Sequence, residues 1–299
     1  MADSSGKDIL LCGRDFTEQD LWVVKETVRR FPRLSQTELA HTICENLQWV
    51  APNGNNKIES CRQLLRKLES QGAIKLPAKR NSGNSKDRRI IATQQTDAPA
   101  EITADLSQVG AQVQLVSGAS QMRLWNEYVE RYHYLGYKRP FGAHQRYFIL
   151  SHNEQLLGCI LFAASAWALE VRDQWIGWTK TDRSKRLHLV VNNSRFLIFP
   201  WVKVKNLASK ALSLAARQVS ADWREKYGFE PVLLETFVDE ELYQGTCYQA
   251  ANWLSLGQTT GRGRMDRHHQ HLSSPKRIYV YPLHRDFRAI LRGESGDAK

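Results

Sequence analysis

Hydrophobic positions change their spacing along this 299-residue chain. From Phe16 to about Pro77 they recur every three or four residues, the mark of helices that bury one face. The first stretch, FTEQDLWVVKETVRRFP, sets Leu21, Val24 and Val28 on one stripe behind Thr17, a capping residue, and Pro32 ends it. LSQTELAHTICENLQW starts again at Ser35, with Leu39, Ile43 and Leu47 aligned. NNKIESCRQLLRKLESQG repeats the spacing with Ile58, Cys61, Leu64, Leu65 and Leu68, and Gly72 stands at a C-cap position. AIKLP then reads as a short strand. Three helices and a strand, the second helix Ser-capped and the third basic, predict a winged helix-turn-helix domain over residues 1–78. The connection VAPNGNN between the second and third helices is longer than in the tightest helix-turn-helix forms.

Between Lys79 and Ala111 the pattern fades into polar and basic residues with Gly and Pro, which predicts a tether over 79–111. Residues 112–299 then mix two periods. VQLV, QRYFILS, QLLGCILFAASAW, SRFLIFPWVKV, PVLLETFV and RIYVYPL read as strands. SQMRLWNEYVERYHY, LASKALSLAARQVSADWREKYG and TCYQAANWLSLG read as helices, the second capped by Asn206 and buried along Ala208, Leu212, Ala215, Val219 and Trp223. The second domain is therefore α/β, a sheet with helices packed on it.

Charge narrows the partner. A net charge of +11 favours a polyanion. No apolar run approaches the roughly 20 residues a membrane span requires, and the N-terminus has no signal-peptide core, so nucleic acid, DNA first, is expected rather than a membrane. Five scattered cysteines without a C-x-x-C pair fit neither a zinc site nor a secreted disulfide framework, and imply the cytoplasm. On the third helix Lys57, Ser60, Gln63 and Lys67, with Arg62 and Arg66 beside them, offer cations, amide and hydroxyl groups to a groove; a solvated face is the alternative. From Gly261 to Arg292 there are eight Lys or Arg against two Asp. Within that run Arg262, Arg264 and Arg267 can fork onto phosphate oxygens. His268, His269 and His271 lack a Cys ligand, and no metal site is assigned there.

Three polar residues sit in apolar surroundings: His133 between tyrosines, Glu235 among leucines, and Asp239 four residues further along the same strand face. Two readings stay open. Glu235 and Asp239 could hold a divalent metal with His133 as general base, which would suit a nuclease. Alternatively Glu235 pairs with a buried arginine such as Arg195, Asp239 caps the following turn and His133 is a bonded core residue. Trp175, Trp178 and Trp201 could stack bases or fill the core.

Two resemblances add to this. The segment Phe196–Gly257 resembles the GNAT acyltransferase fold, and Tyr248 and Asn252 fall in that fold's later cleft segment. The glycine-bearing acyl-CoA loop of that fold is replaced here by KNLASK, so acetyl-CoA is not expected. Lys203, Lys205 and Asn206 at this helix start could instead hold a nucleic-acid phosphate. RYHYLGY, RDQWIGW, NNSRFLIFPWVKVKNLASKAL and LLETFVDEELYQGTCYQAANWLSLGQTTGRGR resemble the DruA family, a component of the Druantia anti-phage system also met near transposable elements. The resemblance implies a prokaryotic DNA-associated defence or mobile-element protein and brings no catalytic residues with it; for a DNA-binding protein of that origin, a helicase or other defence-system protein is the expected partner.

Overall fold

Thr17 and Ser35 decide where the first two helices begin. Each side chain accepts from the backbone N–H three residues on, and Asp20 or Glu38 accepts in return from the N–H of the cap, closing a capping box at both starts. In the computed structural model, which describes residues 9–11, 14–78, 90–140, 142–167, 169–259 and 274–294, the chain forms two compact units. One comprises residues 1–83 with 141–143, the other 84–140 with 144–299.

The first unit contains a short antiparallel hairpin, β1 (Ile9–Leu11) and β2 (Arg14–Phe16), then α1 (Glu18–Arg30), α2 (Gln36–Asn46) and α3 (Ile58–Ser70). Val24 and Val28 of α1, Ile43 and Cys44 of α2, and Cys61, Leu64, Leu65 and Leu68 of α3 close on one core, with Phe16 edge-on to Trp49 at 4.9 Å. The Cys61 thiol is held well above its ordinary pKa by its hydrogen bond with Cys44 and by burial, so Cys61 remains an inert core residue. The hairpin is too short for its alternation to register in the sequence. The strand expected at AIKLP is not formed. Its backbone groups are taken by side chains instead: Leu76 N–H donates to Glu69 Oε1 (2.8 Å), and the Gln36 amide donates to Pro77 O (3.0 Å).

Of the expected tether, 79–111, residues 79–89 lie outside the described residues. Residues 90–111 belong to the second unit and carry a 3-10 turn at Gln94–Thr96, β3 (Ile102–Thr103) and α4 (Leu106–Val109). Their anchor is polar, which is why hydropathy missed it: buried Glu127 accepts from the N–H and hydroxyl of Thr93 and from the hydroxyl of fully buried Thr96.

The second unit continues with β4 (Gln112–Leu115), α5 (Gly118–Tyr132), β5 (His144–Leu150), β6 (Leu156–Ala164), α6 (Glu170–Ile176) and α7 (Lys180–Arg186). After these come β7 (Val190–Ile198), β8 (Val202–Lys203), α8 (Leu207–Tyr227), β9 (Leu233–Asp239), α9 (Thr246–Ala250), β10 (Leu254–Gln258), β11 (Lys276–Pro282) and α10 (Phe287–Arg292). Seven strands make one mixed sheet in the order β10-β11-β9-β7-β6-β5-β4, while β3 pairs in parallel with β8 apart from it. Every neighbouring pair in the large sheet is antiparallel except β7 and β9, which α8 connects as a parallel crossover. Leu212, Ala215, Val219 and Trp223 of α8 are buried as the spacing predicts, and Ala208 is half-buried.

Three elements differ from expectation. The strand in SRFLIFPWVKV starts earlier, at Val190, and stops before Pro200, which has no N–H to continue a ladder; Phe199 and Trp201 then stack at 4.8 Å. TCYQAANWLSLG is one helical turn followed by β10, divided where Asn252 takes a left-handed φ of 63°. Residues 170–186, to which the hydrophobic pattern assigned no element, carry α6 and α7, and Trp175 packs on Phe287 at 5.2 Å. Gly158 in β6 is required by close approach, since a Cβ there would lie 2.2 Å from Leu197 O. Leu64 is fully buried at the centre of the first unit. Leu64→Ala is expected to cost about 2–5 kcal/mol, read as a lower urea midpoint for that unit.

Candidate functional site

The carboxyl ends of parallel strands are where an open α/β sheet leaves a crevice. Here β7 and β9 pair only over Val190–Asn192 and Leu233–Glu235, and beyond those three residues the ladder stops. Just past it, β7 bulges: Leu161 opposes Arg195 and Phe162 opposes Asn193, leaving Ser194 as the extra residue.

Side chains fill the base of the gap. The Tyr248 hydroxyl donates to Asn193 Oδ1 (2.8 Å), and the Thr236 hydroxyl donates to Asn193 O (2.9 Å). Asn193 in turn donates to Leu161 O and Arg195 O. Tyr248 is buried, stacks on Tyr279 at 5.7 Å and meets Trp253 edge-on at 5.1 Å. Burial drives its phenol well above the ordinary range, so it stays neutral. Gly245 allows this: its φ is 70°, and a Cβ there would lie 2.6 Å from the Tyr279 hydroxyl. Asn252, expected in the cleft with Tyr248, is exposed on the turn after α9.

On the other face of β9 from Thr236 lies a fully buried ion pair. Glu235 Oε2 accepts from Arg172 Nη1 (2.8 Å), and Oε1 from the N–H of Ala166 (3.0 Å). Arg172 also donates to Ala166 O and, through Nε and Nη2, to Asp173 Oδ1, while Arg183 holds Asp173 Oδ2 at 2.7 Å. Burial opposes the charge on Arg172, yet Glu235 and Asp173 outweigh it and keep its pKa raised. The arginine paired with Glu235 is thus Arg172, not Arg195. Beside it, Glu170, Asp173, Lys180 and Arg183 line an open cleft of ≈ 440 Å³, whose two acids and two bases give phosphate no advantage.

Asp239 closes the far end of β9. Its Oδ1 accepts from Glu241 N–H (3.3 Å) and its Oδ2 from the Ser274 hydroxyl (3.2 Å), with Lys276 Nζ at 3.9 Å, so it caps the turn. Four residues of strand separate Glu235 from Asp239, about 13 Å, whereas a shared ion needs oxygens roughly 2.0–2.6 Å from it. The two carboxylates are not brought together, and among the described residues no cluster of three His, Cys, Asp or Glu could hold a metal.

The outer rim holds His133, Tyr134 and Arg195. His133 Nδ1 accepts from Leu135 N–H (3.1 Å), and its ring stacks on Tyr134 at 4.9 Å. Burial, then the charge of Arg195, lowers the His133 pKa to about 4. Arg195 donates to Gly136 O (3.0 Å) and Ser194 O (2.6 Å), and burial holds its pKa below the ordinary value. Of these residues the sequence reading found the two acids, His133 and Tyr248. It missed Arg172, Asn193 and Thr236, whose deciding partners Glu235, Tyr248 and Asn193 lie 63, 55 and 43 residues away.

The other candidates stand elsewhere. Lys57 occupies the N-cap of α3 without a side-chain cap bond; Ser60 and Arg62 are half-buried, and Gln63, Arg66 and Lys67 are exposed. Glu59 sits among them and pairs with Arg62 (3.1 Å) and Arg66 (2.9 Å). Lys203, Lys205 and Asn206 are exposed before α8, where Asn206 adopts φ 63° and its side chain makes no cap bond, contrary to expectation. Arg262, Arg264, Arg267, His268, His269 and His271 lie outside the described residues.

The four segments that meet at this crevice contribute His133, Arg172, Asn193 and Glu235, and all four fall within residues 67–273, the region matched by the family model described as Druantia protein DruA. The chain belongs to the DruA family. The match begins near the end of α3, so DruA membership rests on the second unit, and α1, α2 and most of α3 lie outside it. None of the curated proteins searched matches this DruA-family chain. Among solved structures it is similar to a spermidine N-acetyltransferase from Vibrio cholerae in complex with CoA and spermine (11% identity, 56% of this chain and 94% of that one, TM-score 0.36). It is also similar to FeeM, an N-acyl amino acid synthase from uncultured soil microbes (11%, 59% and 92%, TM-score 0.35), and to MesI, a CoA-dependent acyl-homoserine lactone synthase (12%, 63% and 97%, TM-score 0.33). At these scores and identities the likeness says nothing of substrate or chemistry.

Glu235→Gln removes one of the two carboxylates that hold the buried Arg172 guanidinium and is expected to cost roughly 3–5 kcal/mol, whereas the double change Arg172→Met with Glu235→Leu costs far less, both read from urea unfolding. The His133 pKa of about 4 lies below the 6.5 of a free imidazole. Between those values the unfolded chain binds more protons, so stability falls as pH drops through this window and is level above it. His133→Gln should flatten that slope in unfolding curves taken across the same range.

Proposed function

We propose that this DruA-family protein acts in prokaryotic anti-phage defence by binding DNA, with α3 entering a groove as the recognition element of a winged-helix-like unit. Family membership over residues 67–273 is the observation that supports defence. DNA binding is supported by charge and its arrangement. The net charge is +11, and α3 buries Cys61, Leu64, Leu65 and Leu68 while Arg66 and Lys67 stay exposed on the other side. The ion pairs of Glu59 are exposed, each worth under about 1 kcal/mol, so phosphate can displace the carboxylate from Arg62 and Arg66. Lys203 and Lys205 before α8 fit the same reading as phosphate contacts. A metal-dependent nuclease built on Glu235 and Asp239 draws no support from their separation, and acetyl transfer draws none from KNLASK.

Fluorescence anisotropy with a labelled duplex tests this. Affinity should fall steeply as salt rises from about 50 to about 200 mM, and Arg66→Ala and Lys67→Ala should each lower the salt slope by about 1. Failure of the protein to bind either duplex or single strand at low salt removes the reading.

A further inference from the structure

Four large apolar side chains are exposed on the rim of the crevice: Tyr134 (42%), Leu135 (40%), Leu242 (57%) and Tyr243 (52%). They come from two separate segments, the loop after α5 and the turn after β9, and the rings of Tyr134 and Tyr243 meet at 5.5 Å with a 58° tilt. Arg195 is tied to the same loop through Gly136 O, and it makes no ion pair with a carboxylate among the described residues. Exposed Lys138 and Arg139 follow in the same loop, also without an ion pair among the described residues. Of the acids nearby, Asp239 faces Lys276 and Glu240 is bound by Arg277, while Glu241 on the turn is exposed and exposed Glu130 accepts from Tyr137 N–H in the loop (2.7 Å).

Two exposed rings beside a half-buried guanidinium that has no carboxylate partner among the described residues suit a ligand that carries both a ring and an anion. The geometry points to this rim as a binding site for an unpaired nucleotide of a single-stranded nucleic acid, its base on Tyr134 and Tyr243 and its phosphate on Arg195. Aromatic side chains take any base by stacking, so the site is tolerant of sequence. Arg195 adds a contact that the backbone phosphate of a duplex, held at its own spacing, does not need in order to occupy α3. The inference rests on the nucleic-acid reading above, but it concerns a different surface and a different strand state.

The test uses the full-length protein, a labelled oligo-dT and a labelled duplex, with binding read by anisotropy. Tyr134→Ala with Tyr243→Ala should weaken oligo-dT binding tenfold or more and leave duplex binding within twofold. Arg195→Gln should weaken oligo-dT binding and lower its salt slope by about 0.7. Tyr134→Phe with Tyr243→Phe should keep wild-type affinity, because stacking needs the ring and not the hydroxyl. If the wild type binds duplex but not oligo-dT, or if the alanine variant loses both ligands equally, the single-strand site is refuted while DNA binding stands. Loss of binding to both ligands by the wild type refutes both. A photocrosslink from an iodouracil-substituted oligonucleotide to the wild type reports without relying on any variant. Attachment within 131–137 or 240–245 supports the site, and attachment confined to other peptides overturns it.

Discussion

Two full charges, Arg172 and Glu235, face each other with no exposure to solvent, and the second unit is organised around satisfying them. Isolated burial of either ion would be prohibitive. The cost is met by a complete set of partners: both the N–H and the carbonyl of Ala166, both oxygens of Glu235 and one oxygen of Asp173. That set fixes the end of β6, the start of α6 and the middle of β9 relative to one another. Because Glu235 is the last residue of β9 to pair with β7, the ion pair stands where the two strands cease to be bonded.

On the opposite face of the sheet from Glu235, order comes from neutral hydrogen bonds rather than from charge. Asn193 is the hub, meeting Tyr248 with its side-chain oxygen and Thr236 with its carbonyl. Burial keeps the tyrosine protonated and, with Arg195, keeps His133 neutral at pH 7, so the rim presents Arg195 as its cation without a competing imidazolium. The sheet therefore separates two kinds of polar group: Asn193, Thr236 and Tyr248 bond on one face, and Glu235 and Arg195 stand on the other.

How much of this the sequence revealed depended on what kind of signal each part carried. The three helices of the first unit and the long α8 were legible because their apolar spacing persists for three turns or more. The hairpin β1–β2 has three residues per strand, and the segment 73–77 has β-like composition, but Glu69 and Gln36 claim its backbone groups. The fixing of residues 90–111 by Glu127, Thr93 and Thr96 is wholly polar and has no periodicity to detect. At the site, the strand carrying Glu235 and Asp239 and the need for a buried arginine were both readable. Which arginine was not, since Arg172 and Arg195 sit in equally apolar contexts and only the strand order brings α6 over β9. The separation that keeps Glu235 and Asp239 from sharing an ion follows from strand rise alone.

The pairings on either side of the extra residue, Ser194, set a limit on how this chain can vary. Asn193 and Arg195 would share one side of a regular strand, but opposite Phe162 and Leu161 they fall on different sides of the sheet. One therefore reaches Tyr248 in the interior while the other reaches the loop at Gly136. Point changes at 194 leave that division intact. What the geometry holds fixed is the pairing: moving Asn193 off Phe162 or Arg195 off Leu161 by one position would turn that side chain to the other face, whereas loss of Ser194 itself would only restore a regular ladder with both pairings kept.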